Sequence, residues 1–344
     1  MVFLSDFYRW IFSCKVYKIS LDAGCTCPNR DGSKGVGGCI FCSETGSGDF
    51  ASSRNLSIKE QVDEGKKRVE SKLKGRSGNR QGKYIAYFQN FTSTYGNPEE
   101  LGQKYRQALE CPDVVGLAIA TRPDCLSEEI LSIIKEISKN HFVQIELGLQ
   151  TCNEVTGKVI NRCYGKDDYL DAVKRIKKAD PNIHIVSHLI FGLPGESEKD
   201  MLESVNFVVN SSQSLGGHRE FSDRANCNAF TQPSQDSCPS QSWGEHREFS
   251  VTSMRNLNSF FGIKITVLYI VKNTLLAKMY EEGKVTPLSK EKYYSLLEKA
   301  IALLPDNCVV HRLTGDPPKS ILIEPQWTCD KKKVMNEIGK LIRH

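Results

Sequence analysis

The sequence predicts a parallel α/β barrel, and three observations carry that reading. Short β-branched runs alternate with helical patterns from residue 15 to 191, and the runs read as continuously apolar, as strands covered by helices do. No GxGxxG follows the first strand, which sets a barrel, complete or incomplete, ahead of a dinucleotide-binding sheet. A chain of 344 residues, 39% hydrophobic and 25% charged, buries a substantial core; this excludes general disorder, a collagen-like fibre and a small disulfide scaffold.

In chain order, strands are expected at 16–21, 84–89, 114–121, 143–149 and 183–191, with helices between them at 58–73, 98–109, 127–138, 169–178 and 198–208. After residue 210 the composition changes. Residues 211–259 hold eleven serines but only Leu215, Val251 and Leu257 among Leu, Ile and Val, too few to offset the entropy of ordering, so a largely unstructured surface insertion is expected. It carries HREFS twice, at 218–222 and 246–250, and two copies make no solenoid. The pattern resumes with a strand at 263–271, a helix at 290–303, a strand at 309–313 and a helix at 331–342, giving six or seven β/α units. In such barrels the chemistry sits in loops after the carboxyl ends of the strands.

A formal charge of +5 permits an anionic partner without demanding one. Basic residues gather at Lys66, Lys67, Arg68, Lys72, Lys74, Arg76, Arg80 and Lys83, and again at Lys331, Lys332, Lys333, Lys340 and Arg343; such runs grip phosphates or form solvated helix faces, and no RRM or KH signature accompanies them. The longest clean apolar run, ITVLYIV at 265–271, is far short of the ~20 residues of a membrane helix. Asp6 and Arg9 interrupt the apolar start, so no signal peptide, no membrane partner and a cytoplasmic location are expected. In a reducing compartment the 13 cysteines then point to a metal rather than to disulfides.

The segment CTCPNRDGSKGVGGCIFC follows the first strand and crowds Cys25, Cys27, Cys39 and Cys42 into eighteen residues. Soft thiolates select zinc or iron and sulfur. Four thiolates close a tetrahedral zinc site that staples the loop. Three, from Cys27, Cys39 and Cys42, hold a 4Fe-4S cluster with one iron left open.

The string KVYKISLDAGCTCPNRDGSKGVGGCIFCS strongly resembles the cysteine loop of YhcC/YtqA-type radical S-adenosylmethionine (SAM) proteins, relatives of the radical SAM domain of the Elongator catalytic subunit. The resemblance continues through YIAYFQNFTSTYG, ATRPDCL, ELGLQT, INRCYG, HLIFGLPGE, IKITVLYIVKNT and HRLTGDPP, covering the chain except the Ser-rich insertion. It implies a radical SAM partial (β/α)6 TIM-like barrel. Residues 1–210 would form its core with the first five β/α units, 211–259 the insertion, and 260–344 the sixth unit and a C-terminal extension. It implies SAM and a 4Fe-4S cluster as cofactors, with Cys27, Cys39 and Cys42 as ligands and the eleven-residue gap after Cys27 a family trait. Cys25 falls where the family usually has an aromatic residue and stays out of the cluster.

By the same resemblance Phe41 packs on adenine, and Gln89 to Thr92 lie where the SAM amino group binds, here without the usual Gly-Gly-Glu. Glu146, a carboxylate among apolar neighbours, is costly to bury unless paired or ligand-bound. A SAM contact is expected of it, with an ion pair to Arg122 or Arg162 as the structural alternative. Ser187 and His188 are expected to face the SAM ribose or substrate, or to be core residues. Gly192 and Pro194, in the turn from Phe191 to Glu196, are expected at the adenine. His311, Arg312 and Asp316 are the catalytic candidates on the substrate side. The family link implies wobble-uridine modification in tRNA, from 5-carboxymethylaminomethyl to 5-aminomethyl, with an electron donor such as flavodoxin or ferredoxin. A radical SAM enzyme on a small molecule or protein, and a zinc-stapled, non-catalytic RNA-binding protein, are the alternatives. His218, Cys227, Cys238 and His246 are weak zinc candidates in so polar a segment.

Overall fold

Strands form where the sequence pattern places them because each alternates one residue toward a helix-covered outer layer with one toward the inside of a curved sheet. The computed structural model describes residues 1–44, 46, 51–73, 82–215 and 257–342. The HREFS copies, the four weak zinc candidates, Lys74, Arg76, Arg80, Arg343 and most of the insertion lie outside the described residues. Strands β1 (Val2–Phe3), β2 (Val16–Leu21), β3 (Lys83–Phe88), β4 (Val114–Thr121), β5 (Phe142–Gln150), β6 (His184–Phe191), β7 (Phe261–Val267) and β9 (Cys308–Arg312) make one sheet. Its order is β1-β9-β7-β6-β5-β4-β3-β2, with every neighbouring pair parallel. A side ribbon pairs β8 (Ile270–Val271) antiparallel with β10 (Leu322–Glu324). The sheet curls into a half-barrel, as the pattern predicts.

Helices α1 (Leu4–Phe12), α2 (Ile58–Leu73), α3 (Pro98–Leu109), α4 (Glu128–Ser138), α5 (Glu154–Val159), α6 (Lys166–Ala179), α7 (Glu198–Leu215), α8 (Leu275–Glu281), α9 (Lys290–Ala302) and α10 (Lys331–Leu341) follow. Their starts are chemical. The Asn97 side chain accepts from the Glu99 and Glu100 amides with Pro98 at the first helical position of α3, and Ser127 caps α4 through the Ile130 amide. Helix α6 starts three residues before its expected limit, at Lys166, because Asp168 reaches back to the Gly165 amide at 2.7 Å.

The outer core packs Leu21, Phe88, Leu117, Ile119, Ile145, Leu147, Ile185, Leu189, Ile263 and Ile265 against the helices through Val62, Leu101, Tyr105, Ile134, Tyr169, Val205 and Leu296. Fully burying one such Leu or Ile contributes about 1.5–3 kcal/mol. Inside, a second cluster plugs the base of the barrel: Phe7, Tyr8 and Ile11 of α1 meet Ile85, Tyr87, Phe142 and Val309. The sequence pattern passes over α1 because Asp6 and Arg9 break its apolar run; they lie on its solvent side, paired at 3.2 Å.

Two expectations are corrected. The strand at 263–271 is two, since the chain leaves the sheet after Val267, where the Leu268 amide bonds the Phe191 carbonyl at 2.8 Å, and then joins the side ribbon. The margins of the insertion are ordered: α7 runs on to Leu215, and Leu257 is buried with the α1 cluster. Among the described residues no helix is long and apolar enough to cross a membrane.

Candidate active site

The cysteine loop leaves β2 and lies across the carboxyl ends of the strands. Turns bind it to itself: the Cys27 carbonyl accepts from the Arg30 and Asp31 amides, Pro28 from Lys34 and Gly35, and Cys39 from Cys42 at 3.0 Å. The INRCYG loop clamps it from above β5. The Ile40 amide bonds the Ile160 carbonyl at 3.2 Å, and the Asn161 side chain donates to the carbonyls of Val36 and Gly38. Closeness here requires glycine, because a Cβ on Gly35 would sit 2.1 Å from Asn29 Oδ1 and 3.0 Å from Cys163 Sγ.

Cys39 and Cys42 share a hydrogen bond through their sulfurs, which holds the Cys42 thiol below its ordinary range and pushes Cys39 up, and Cys27 lies within electrostatic reach of Cys42. N–H donors approach this trio: Arg122 Nη1 is 3.7 Å from Cys27 Sγ, and Asn29 Nδ2 is 3.8 Å from Cys39 Sγ. Arg122 is in turn held by Asp124 through two 2.9 Å bonds, and its guanidinium lies over the Tyr164 ring at 4.6 Å. Cys25 turns the other way, into the helix-side core, where burial pushes its thiol up to about 11. It lines an outer cleft of 840 Å³ with Tyr95, Lys104 and Cys125. That cleft lies behind the loop; the sulfur trio, and hence the chemistry, belongs to the barrel mouth.

Around the mouth, Phe41 packs beside Ile40, Ile190, Leu193 and Leu268 in a separate apolar cluster. After β3, Gln89 accepts from Ser20 at 2.9 Å and Thr92 is buried, while Asn90 donates to Asp22 at 2.7 Å and leaves its own buried Oδ1 without a hydrogen-bond partner. Asn90 belongs to the Gln89–Thr92 stretch that the resemblance sets at the SAM amino group. Gly192 and Pro194 occupy the β6–α7 turn, with Gly192 at φ 90°. There Glu196 accepts from Thr151 and is raised to about 7 by burial.

Below the mouth, the inner face of the sheet is polar. Lys264 on β7 donates to Glu146 on β5, which also bonds the Tyr87 hydroxyl; against its burial, the charge of Lys264, then of Lys18, with His188 nearby, holds the carboxylate at about 2. The Lys18 ammonium is 3.4 Å from His311 Nδ1 and 5.1 Å from the centroid of the Tyr87 ring. Its donation fixes His311 with the proton on Nε2, which faces His184 Nε2 at 2.9 Å. His188 Nε2 is 3.0 Å from Thr266 Oγ1, and burial with Lys264 nearby lowers His188 to about 3, so its ring is neutral.

The profile of the Radical SAM superfamily matches residues 27–208, and that of the Radical_SAM C-terminal domain matches 261–344. The uncharacterized protein YtqA of Bacillus subtilis (strain 168) is 35% identical over 329 residues, covering 96% of this chain and 85% of the relative. The chain belongs to the Radical SAM superfamily. Protein YhcC of Escherichia coli (strain K12) is 29% identical over 334 residues, covering 95% of this chain and 87% of that one. Among solved structures, the archaeal Methanocaldococcus infernus Elp3 with an N-terminal deletion superposes with a TM-score of 0.59 at 15% identity. It covers 94% of this chain, which spans 63% of that structure.

This radical SAM enzyme thus has SAM and a 4Fe-4S cluster implied by its family. The residues fit: soft sulfurs with N–H donors aimed at them suit a thiolate-bound cluster, and the orphaned Asn90 Oδ1 offers an acceptor to an ammonium group. Two expectations are corrected. Glu146 pairs with Lys264 across the sheet, not with Arg122 or with Arg162, whose buried guanidinium instead donates to the carbonyls of Leu149 and Thr151 at 2.6 Å. Ser187 and His188 cannot share a role, because neighbours on a strand face opposite ways; Ser187 points outward to the Tyr169 hydroxyl at 2.5 Å. His311 and Arg312 adjoin the inner cluster, and the Asp316 carboxylate is bonded to Lys331.

Proposed function

We propose that Cys27, Cys39 and Cys42 hold the 4Fe-4S cluster, that SAM binds across the barrel mouth, and that the enzyme acts on a tRNA wobble uridine, converting 5-carboxymethylaminomethyl to 5-aminomethyl. The observation that carries the first part is the grouping of three cysteines at the strand ends while Cys25 is buried on the opposite side of the loop. A four-thiolate zinc staple needs Cys25, which faces the helix-side core.

Together the cluster and SAM supply, on one-electron reduction, a radical able to take hydrogen from an unactivated carbon. The chain's own part is to orient and enclose. Arg122, locked by Asp124 and stacked on Tyr164, supports the sulfur side of the mouth. Asn90 Oδ1 is the acceptor for the SAM ammonium, and Phe41 with Ile190, Leu193 and Leu268 forms an apolar wall for its adenine beside Gly192 and Pro194. His188, neutral inside the barrel, accepts or donates one hydrogen bond without adding charge. The tRNA reading rests on resemblance to YhcC/YtqA-type proteins and on a reaction that starts with hydrogen removal from the carboxymethyl arm. That arm would leave as glyoxylate after hydrolysis by water, with SAM, ending as methionine and 5′-deoxyadenosine, as the two-electron oxidant. It is tested by tRNA nucleosides from a deletion strain of a host that makes the aminomethyl form. Accumulation of the carboxymethylaminomethyl nucleoside is expected; an unchanged nucleoside profile rejects this substrate.

A further inference from the structure

We infer that the inner face of the barrel binds a carboxylate of the substrate, held by Lys18, Lys264 and Arg312. The inference deepens the proposed reading by assigning this face to substrate. Three cations approach the inner face against one carboxylate, Glu146, which is bonded to Lys264 and to the Tyr87 hydroxyl and lies within electrostatic reach of Lys18. Among the described residues neither Lys18 nor Arg312 forms an ion pair. Arg312 is nonetheless close enough to act on Lys18, Tyr87 and His188. The three neighbouring histidines do not change the balance: burial and the lysines hold His184, His188 and His311 neutral.

Unmatched positive charge is expensive to keep out of water, and the fold supports it with several specific devices. A bulge sets both His311 and Arg312 against Lys264 in the β7–β9 ladder. Gly262 makes room, since a Cβ there would lie 2.8 Å from the His311 ring and from Val186. His311 then accepts from Lys18 and orients it. Burial, with Lys264 and Arg312 nearby, lowers Lys18 to about 8, with Glu146 partly opposing, so an arriving anion gains from restoring its full charge.

Depth separates this cradle from the cofactor's place. Lys18 and Lys264 each lie three residues before the end of their strands, and Glu146 four before the end of its own, roughly 10 Å below the rim that carries the cysteine loop. A carboxylate fits better than a phosphate dianion, because Glu146 in the same chamber repels a second negative charge. The planar fork of Arg312 matches a flat carboxylate, with the lysines as point charges.

The test uses the anaerobically prepared, cluster-loaded protein and measures the labelling rate of Lys18 by an amine acetylating reagent, mapped by mass spectrometry. The probes are N-methylglycine, its amide and inorganic phosphate, each with and without saturating SAM. N-methylglycine is expected to slow Lys18 labelling about tenfold relative to the amide, with SAM present, as a charge-assisted contact would. Arg312→Gln should remove that protection. Should that variant lose its fold or cluster, Arg312→Lys keeps the charge without the fork and should weaken protection by at least about threefold. Equal effects of acid and amide, stronger protection by phosphate, or loss of the acid's effect once SAM is bound would each overturn the inference, the last assigning the cradle to the cofactor. A second arm compares 5-carboxymethylaminomethyluridine with 5-aminomethyluridine. Protection by the first alone supports both readings. Protection by N-methylglycine and by neither nucleoside supports the cradle and rejects the tRNA substrate.

Discussion

The two faces of one sheet differ more than any two regions of the chain. On β5, Ile145, Leu147 and Leu149 point outward into an aliphatic layer, while the intervening Gln144 and Glu146 point into the barrel, where they meet Tyr8, Tyr87 and Lys264. The outer face stabilises by area removed from water and tolerates any residue of suitable shape. The inner face keeps ionised groups whose burial cost is offset by their mutual pairing. The same division sets Lys18 of β2 and Lys264 of β7 inside, with Leu21 and Ile265 outside.

The largest effect expected at the mouth is on the metal. Cys39→Ala should drop iron from about four per chain to below about one, with loss of the brown absorption and of 5′-deoxyadenosine release, whereas Cys25→Ala should retain its iron. Iron loss from Cys25→Ala equal to that from Cys39→Ala would erase the distinction between the two sides of the loop.

Adjacent residues on β5 then separate the two faces by their response to pH. Glu146→Gln leaves Lys264 without its counter-charge and should destabilise by about 3–5 kcal/mol in denaturant unfolding at neutral pH. Because Glu146 sits at about 2 in the folded chain against an ordinary 4.5, its contribution is complete above 4.5 and fades as pH falls toward 2. The deficit of Glu146→Gln should therefore shrink across that window. Leu147→Ala, on the outer face, should lose about 2–5 kcal/mol with no such pH dependence. A pH-independent deficit for Glu146→Gln would remove the electrostatic account of the inner face.

Smaller effects sharpen the contrast. Gly262→Ala should cost about 1–3 kcal/mol and disturb the imidazole signals of His311 by NMR, since the new methyl meets that ring. Lys18→Met should raise stability by about 1–3 kcal/mol near neutral pH, as replacing a poorly compensated buried charge does. Lys18 is lowered to about 8 from 10.5 mainly by burial, so the wild type regains stability as pH rises through that interval and the gap should close. A Lys18→Met variant less stable than the wild type would mean that the lysine holds the barrel together rather than serving a ligand.

Much of this was legible in the residues. The strands at 16–21 and 114–121 and the helices at 58–73 and 98–109 match their expected limits because apolar spacing and caps such as Asn97 act locally. The cysteine loop was legible from spacing and resemblance. Helix α1 was not, because its apolar side makes sense only with a barrel base to plug. Nor was the partner of Glu146: Lys264 is remote in sequence and becomes its neighbour only when β5, β6 and β7 lie side by side. Ser187 looked like its neighbour His188, yet strand alternation sends it to Tyr169, and Asp316 stands four residues past Arg312 but beyond the sheet, against Lys331.

By itself the sequence determined the alternation of strands and helices, the positions of the cysteines and the family, since each rests on near neighbours along the chain or on motifs read in order. Only the tertiary structure decided which cysteine turns away from the trio, which face of each strand carries charge, and which cations meet Glu146. Those depend on curvature and register, which bring together groups from strands far apart in the chain and expose one side of each to a space that no local pattern encodes.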